Sequence, residues 1–368
     1  SFDLKVRGID LSEHLVIARQ GYFFAGGKYE ERDGQQVLTG QLYVEFQIPA
    51  EQRCPFPVIM VHGGGQSGTN FTGTPDGREG WAQHFLRRGY AVYVVDQVGR
   101  GRAAYLPQAY GALRYPEAER AQERFIAMKR LKLWPQAAKH TQWPGGDAPG
   151  DPVFDQFIAS QLPSIVDMSE QQRLNVPALI ALIDKIGPSI LLTHSQSGSF
   201  GWPVADARPD QVKALLQIEP NGPPFHDIGI EYVGPPEQYR IGALARRYGL
   251  CDLPLTFDPP LREGEALAFE REAEIPAPGL ARGWLQKAPA RQLPRLKQMP
   301  ILVLTAEASY HATYDHLTVR FLEQAGVHPT FIRLEDREVT GNGHMLMLEK
   351  NNHAIAGVIM DWLARQKL

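Results

Sequence analysis

Short apolar runs alternate with segments of helical periodicity along most of the chain, and this alternation limits the fold more than any other feature. The apolar runs have the length of strands and cover residues 57–61, 90–95, 189–193, 214–218, 301–305 and 330–334. Helical periodicity covers residues 80–88, 174–186 and about 349–366. Strands that alternate with helices predict a mostly parallel central sheet with helices on both faces. Alternating polar and apolar residues at 40–48 predict an antiparallel edge strand.

Two long stretches, residues 103–162 and 220–300, interrupt this alternation. Both are rich in Pro, Trp and Tyr and only patchily helical. Stretches of this length are usually functional or contain small elements of their own. We therefore predict one domain over residues 1–368, with two insertions that form a cap over the active site. The aromatic residues of the insertions predict either an apolar pocket or a core for the cap itself. They are Trp134, Trp143, Phe225, Tyr232, Tyr239 and Trp284.

The composition excludes several classes of protein. A chain of 368 residues, 43% of them hydrophobic, is long enough for one large core. The net charge of -3 argues against nucleic acid or an anionic membrane surface as a partner, because both favour concentrated Lys and Arg. No apolar run approaches the roughly 20 residues that a membrane helix needs. We therefore expect a soluble protein with no membrane span.

The sequence leaves three properties open. Cys54 and Cys251 could pair in an oxidising compartment or sit apart as small hydrophobic residues. The sequence opens at Ser1 without a signal-like apolar segment, so an earlier removal of a leader would fit secretion or the periplasm. The oligomeric state is not determined, and a homodimer is compatible with the sequence.

The strongest local motif is S-I-L-L-T-H-S-Q-S-G at residues 189–198, where an apolar strand leads into a turn of small residues. This is the setting of a nucleophile elbow, whose usual pattern is G-x-S-x-G. Thr193 and Ser197 replace the two glycines. Ser195 is the better nucleophile, because Ser197 would push the turn into the following helix. An ordinary Ser-rich helix cap is the alternative without a catalytic role.

A glycine-rich loop, H-G-G-G at residues 62–65, follows the first buried parallel strand. Glycines there let backbone N–H groups approach a developing oxyanion. We predict Gly64 as one donor, with Gly65 as the alternative, and the N–H of Gln196 as the other donor. A phosphate-binding loop is disfavoured because neither G-K-[ST] nor G-x-G-x-x-G is present. Arg100 and Arg102 are expected to be structural ion-pair partners.

His344 is the predicted base, because it follows the last strand and precedes the C-terminal helix. A serine hydrolase with this strand order has its Ser, acid and His in that order along the chain. His194 adjoins the nucleophile, and its side chain is expected to point away. The remaining histidines near helices are expected on the surface or at helix caps. They include His311, His316 and His353.

The acid has two main candidates. Glu307 follows the strand at residues 301–305, which is the commonest position, and Asp315 lies farther on. Glu219 ends the preceding strand, where an ionised carboxylate is costly unless it is paired. Either glutamate could reach the imidazole and hold its tautomer. The residues alone leave Glu219 and Glu307 open.

Several segments together resemble a small bacterial esterase subgroup of the α/β-hydrolases. They are residues 74–78, 96–97, 194–198, 218–220, 341–345 and 351–352. In that subgroup the elbow reads H-S-Q-S-G and the acid is a Glu after the sixth strand. The resemblance therefore implies Ser195, Glu219 and His344 as the triad, with 24 residues from Ser195 to Glu219. It covers the core well and the insertions poorly, and a cysteine pair can replace Gly64 and Gly65 in the subgroup.

The resemblance implies an α/β-hydrolase fold and hydrolysis of a small-molecule carboxylic ester through an acyl-enzyme. Neither a metal nor an organic cofactor is required for such a reaction. A lactonase or an amidase would use the same triad. A catalytically inactive binding protein is the alternative from another class, because a fold alone does not determine function.

Overall fold

The computed structural model describes residues 5–6, 9–10, 14–229 and 235–368; residues 5–6, 9–10 and 237 are described by their backbone alone. Tyr232, one of the aromatic residues named above, lies outside the described residues.

The strands of the described residues run in chain order from β1 to β16. They are β1 (Lys5–Val6), β2 (Ile9–Asp10), β3 (Ile17–Arg32), β4 (Gln35–Pro49), β5 (Val58–Val61), β6 (Val92–Asp96), β7 (Leu113–Arg114), β8 (Ser164–Ile165), β9 (Ser189–His194), β10 (Val212–Ile218), β11 (Phe225–Gly229), β12 (Arg240–Arg246), β13 (Phe269–Arg271), β14 (Trp284–Gln286), β15 (Ile301–Thr305) and β16 (Thr330–Arg333).

The helices follow the same order. They are α1 (Thr69–Thr72), α2 (Trp81–Arg88), α3 (Pro107–Tyr110), α4 (Ala118–Ala121), α5 (Met128–Leu131), α6 (Pro152–Ala159), α7 (Met168–Ile186), α8 (Gly198–Ala207), α9 (Asp315–Gln324) and α10 (Asn352–Ala364). A π-helical turn covers Gln122–Ile126, and 3₁₀ turns cover Pro135–Lys139, Ser195–Ser197, Pro236–Gln238, Leu296–Gln298, Tyr310–Thr313 and Leu334–Arg337.

The central sheet has eight strands in the order β16-β15-β10-β9-β5-β6-β4-β3. The six strands from β16 to β6 are parallel, whereas β4 is antiparallel to both β6 and β3. The predicted mostly parallel sheet is therefore confirmed. The prediction that residues 40–48 form the edge strand is wrong, because β3 pairs with β4 along its outer side and occupies the edge.

Both faces of the parallel strands are buried against helices. Alternate residues of each strand face opposite ways, so Ile59 and Leu191 join one core while Met60 and Leu192 join the other. The first core packs against α7, α8 and α9, and the second packs against α2 and α10. This covering on both sides explains why the strands are continuous apolar runs.

The two long stretches contain short elements. Residues 103–162 contain α3 to α6 and β7, and residues 220–300 contain β11 to β14 as two small antiparallel pairs. The helix predicted at residues 174–186 begins earlier, because the Asp167 side chain caps it by accepting hydrogen bonds from the N–H groups of Ser169 and Glu170. Cys54 and Cys251 are unpaired, and Cys251 is buried.

Candidate active site

Ser195 stands at the turn between β9 and α8, in a left-handed backbone conformation with a φ of 56°. Such a conformation is unfavourable for a residue with a side chain and is typical of a strained functional turn. The turn packs closely against its neighbours. A Cβ atom added to Gly63 would lie 3.0 Å from the Cβ of Ser195, and one added to Gly198 would lie 2.7 Å from the Cα of Pro220. The packing around this turn therefore requires glycine at positions 63 and 198.

Ser197 differs from Ser195 in its surroundings. Its side chain is fully buried, and its Oγ accepts a hydrogen bond from the N–H of His194 at 2.9 Å. The same hydroxyl lies 2.9 Å from the carbonyl oxygen of Val61, to which it donates. Ser195 is half-buried and lines a cavity. The hydroxyl of Ser197 therefore joins the turn to strand β5, whereas Ser195 faces the space where a ligand would lie.

Glu219 directly follows β10 and is fully buried. Its Oε2 lies 2.5 Å from the Nδ1 of His344. Two further groups donate hydrogen bonds to its carboxylate: the N–H of Ala306 to Oε1 at 2.7 Å and the hydroxyl of Ser309 to Oε2 at 2.8 Å. These contacts hold the carboxylate in one orientation against the imidazole.

Glu307, the other acid candidate, lies elsewhere. Its Oε2 accepts a hydrogen bond from the N–H of Gly341 at 2.9 Å, and its Oε1 pairs with the ammonium of Lys139 at 3.0 Å. Glu307 therefore anchors the start of the loop that carries His344, and Glu219 is the carboxylate in contact with the imidazole.

Aromatic rings surround the imidazole of His344. The ring of His311 stacks on it at 4.7 Å and 9° from parallel, and Phe125 lies 5.5 Å away. The Nε2 of His194 is 3.0 Å from the carbonyl oxygen of His344. The side chain of His194 therefore packs against His344 and, as expected, does not line the cavity in front of Ser195. His311 is also buried, with Nδ1 2.8 Å from Asp315, which corrects its expected surface position.

Burial sets the protonation of this cluster. It lowers the pKa of His344 well below 6.5, and the positive charges that His194, His311 and Arg124 can bring lower the pKa further. Burial also lowers the pKa of His194 to about 3. The pKa of Glu219 is raised well above 4.5 by burial and by the charge of Asp315. A neutral His344 is therefore favoured at neutral pH, as a general base requires.

The glycine-rich loop lies beside the turn of Ser195. The N–H of Gly65 donates to the hydroxyl of Ser164 at 2.9 Å and is thereby engaged. A Cβ atom added to Gly64 would lie 3.7 Å from the Oε1 of Gln196, so the two expected donor residues are neighbours. Gly64, Gln196 and Ser195 line the same cavity.

Arg100 contacts the backbone of this glycine-rich loop. Its guanidinium is almost fully buried and donates hydrogen bonds from Nη1 to the carbonyl oxygen of Gly63 at 2.8 Å and from Nη2 to Gln171 at 3.0 Å. Among the described residues no carboxylate forms an ion pair with Arg100, so its expected pairing is wrong. Arg102 does form ion pairs, with Asp96 at 2.9 Å and with Glu45. Burial lowers the pKa of Arg100 to about 10, which leaves it charged at neutral pH.

The cavity in front of Ser195 has a volume of about 480 Å³. Both long stretches contribute to its walls, the first with residues such as Phe125 and Leu162 and the second with residues such as Ile228 and Arg246. His344 and Tyr314 complete the wall near Ser195. This volume falls within the range of small-molecule sites.

One group of side chains could in principle hold a metal ion. Glu219, His311 and His344 each offer a ligand atom, and these atoms lie within 4.8 Å of one another. The two imidazole rings are stacked 9° from parallel, however, so their in-plane lone pairs do not converge on one point. The Nδ1 of His344 is also in contact with Glu219. The arrangement favours a hydrogen-bonded pair of His344 and Glu219 over metal ligation.

Comparison with known proteins identifies the family. No protein-family model matches the chain. A fungal protein, "Probable secreted lipase phiG" of Fungal sp. (strain ATCC 74256), is 39% identical over 347 residues, which cover 94% of this chain and 89% of the relative. The chain belongs to the family of this lipase. The chain is a carboxylesterase-type hydrolase.

Comparison with solved structures identifies the fold of the chain. A structure described as that of a novel bacterial esterase superposes with a TM-score of 0.62 at 23% identity, covering 96% of this chain and 98% of the other. The chain has the α/β-hydrolase fold. In the described part of the chain, no helix is long and apolar enough to cross a membrane.

Proposed function

We propose that the chain is a serine ester hydrolase that works through Ser195, His344 and Glu219. The observation that supports this most is the 2.5 Å contact between Glu219 Oε2 and His344 Nδ1, beside a serine held in a left-handed turn. Ser195 and His344 line one cavity. A hydroxyl, an imidazole and a buried carboxylate in this order form the catalytic triad of a serine hydrolase.

The reaction proceeds in two steps. Ser195 Oγ attacks the ester carbonyl while its proton passes to Nε2 of His344, and the alcohol leaves with that proton. Water then attacks the acyl-enzyme while His344 takes its proton, and His344 returns that proton to Ser195 Oγ as the carboxylic acid is released. Glu219 keeps the second imidazole proton on Nδ1 and stabilises the imidazolium.

The oxyanion is held by the backbone N–H groups of Gly64 and Gln196. Gly65 is less suited, because its N–H already donates to Ser164. Arg100 donates to the carbonyl of the peptide whose N–H belongs to Gly64. A cation at that carbonyl polarises the peptide and makes its N–H a stronger donor. The reaction therefore uses only side chains and backbone of this chain.

The two insertions form the cap over this site, since residues from both stretches line its cavity. The word "secreted" in the name of the fungal relative is the basis for proposing that this protein is exported as well.

The test is to compare wild type with Ser195→Ala on p-nitrophenyl esters and on lactones of varied acyl size. We expect ester turnover by wild type and background rates for the variant. A fluorophosphonate should label wild type at Ser195, as peptide mapping will show. Labelling at another residue, or turnover that survives Ser195→Ala, would refute the proposal. A lactone preference would keep the triad and change the substrate.

A further inference from the structure

The cavity in front of Ser195 is rich in arginine. Four arginines line it, against two carboxylates, Glu117 and Asp227, in the described part of the chain. The arginines are Arg114, Arg120, Arg124 and Arg246. The whole chain has a net charge of -3, so this excess is local. A pocket for an uncharged ester has no need of it, because ester recognition relies on apolar walls and a few polar groups.

Arg246 is the most informative of the four, because only 1% of its surface is exposed. Its Nε donates to the carbonyl oxygen of Pro223 at 2.6 Å, and its Nη2 donates to Asp227 at 2.7 Å. Its Nη1 makes no hydrogen bond to the described residues. The side chain of Asp227 is 52% exposed, so water screens its charge. Burying a guanidinium is costly, and a half-exposed partner offsets that cost poorly.

Arg124 approaches the same wall from the first insertion. Its guanidinium carbon lies 5.1 Å from the centre of the Tyr310 ring. Burial raises the pKa of Tyr310 to about 12 and that of Tyr314 well above 10; the charge of Arg124 opposes both increases to a smaller extent, and that of Arg246 opposes the increase at Tyr314. Both tyrosines line the cavity. The two guanidinium groups therefore lie at the cavity that Tyr310, Tyr314 and His344 also line.

We propose that this cavity binds esters that carry a carboxylate, such as half-esters of dicarboxylic acids, with Arg124 and Arg246 as the residues that hold the carboxylate. The inference rests on the proposed function, since the ester bond of the same molecule is cleaved at Ser195. Arginine suits this task because its planar fork matches a carboxylate and stays charged.

The experiment compares two esters of equal acyl length, 4-nitrophenyl hydrogen adipate and 4-nitrophenyl hexanoate. We expect wild type to prefer the adipate ester in kcat/KM by roughly tenfold or more, the range that hydrogen bonds to charged groups supply. The preference should shrink as NaCl is raised, because salt screens the charge of Arg124, which is half-buried. Separate Arg124→Gln and Arg246→Gln variants should each lower the adipate-to-hexanoate ratio about tenfold.

Arg130→Gln is the matched control. Arg130 belongs to the same insertion, its side chain is 54% exposed, and it pairs with Asp147 outside the cavity. This variant should keep the wild-type ratio. If Arg246→Gln does not fold, Arg246→Lys and Arg124→Gln still test the site. Lysine at position 246 keeps the positive charge but loses the planar pair of donors that binds a carboxylate.

The possible failures are distinct. A wild-type ratio near one, or a ratio that neither arginine variant lowers, would overturn the carboxylate site and leave ester hydrolysis at Ser195 intact. Absence of turnover with both esters and with the wider ester panel would overturn the proposed function, and this inference with it. A loss of the preference in Arg130→Gln as well would show a long-range charge effect and would also refute the site.

Discussion

Replacing Glu219 by Gln tests the hydrogen-bond geometry around His344 most directly. The N–H of Ala306 donates to Oε1 at 2.7 Å, so the amide oxygen of Gln has to take that position. The amide nitrogen then occupies the position of Oε2, 2.5 Å from Nδ1 of His344. An NH₂ group there donates to Nδ1 and forces the imidazole proton onto Nε2. With that tautomer His344 cannot accept the proton of Ser195.

The expected loss follows from this tautomer change. The same exchange of acid for amide in the serine-protease template lowers kcat by about 10⁴-fold, which corresponds to about 5 kcal/mol of barrier. We expect a loss of the same order in kcat for Glu219→Gln. The free energy of unfolding of Glu219→Gln should rise rather than fall. The folded pKa of Glu219 lies above its unfolded value, so ionisation destabilises the fold as pH rises past 4.5, and a neutral amide removes that cost.

The assay measures kcat on a p-nitrophenyl ester and Tm at pH 7 for three proteins: wild type, Glu219→Gln and Glu307→Gln. Glu307→Gln is the control, because its amide oxygen can still accept from Gly341 and the lost pair with Lys139 is partly exposed. Its kcat should stay within about threefold of wild type, as the modest value of exposed ion pairs suggests. The reasoning is refuted if Glu307→Gln is the severely impaired variant, or if Glu219→Gln retains more than about a tenth of kcat.

Three further predictions concern the same site. Ser197→Ala should remain active but lose about 1–3 kcal/mol of unfolding free energy, because a buried N–H loses its acceptor; inactivity equal to that of Ser195→Ala would shift the nucleophile by two residues. The acid limb of kcat/KM should have its midpoint below pH 6.5, since burial lowers the pKa of His344; a midpoint above 6.5 would contradict this origin. Arg100→Met should lower kcat by about tenfold or more with little change in KM, and Arg100→Lys should recover part of the loss; a change confined to KM would argue against the role of Arg100 in transition-state stabilisation.

The central sheet could be predicted from the sequence because its parallel strands are local apolar runs that end in turn residues. Ser195, Glu219 and Gly64 could be nominated for a related reason: each stands at or just after the carboxyl end of a parallel strand, and such ends meet at one edge of the sheet. The sequence does not predict strand β3, because its exposed face and its two adjacent glycines, Gly26 and Gly27, leave no clear alternation of polar and apolar residues. Backbone hydrogen bonds to β4 over most of its length hold β3 in the sheet, although its own residue pattern does not indicate a strand.

Arg100 and His311 could not be assigned from the sequence, because their roles depend on partners far along the chain. Arg100 stands two residues before Arg102, and the sequence predicts the same role for both, that of a structural ion-pair partner. Only the folded chain places one of them beneath the glycine-rich loop. His311 likewise stands in a short turn before α9, where a surface position was the reasonable expectation. Its stacking on His344 brings together residues separated by more than 30 positions in the sequence.

The loop that carries His344 shows most clearly what local patterns omit. Glu349, expected to begin the C-terminal helix, is instead buried in the loop and accepts hydrogen bonds from the N–H of Gly343 at 3.0 Å and from Asn342 at 2.7 Å. Its Oε1 lies 2.5 Å from Nε2 of His140, which belongs to the first insertion. The residue just before His344 is thus fixed by a carboxylate that the insertion itself holds in place. Moving the part of the first insertion that carries His140 would therefore disturb the support of the loop that carries His344.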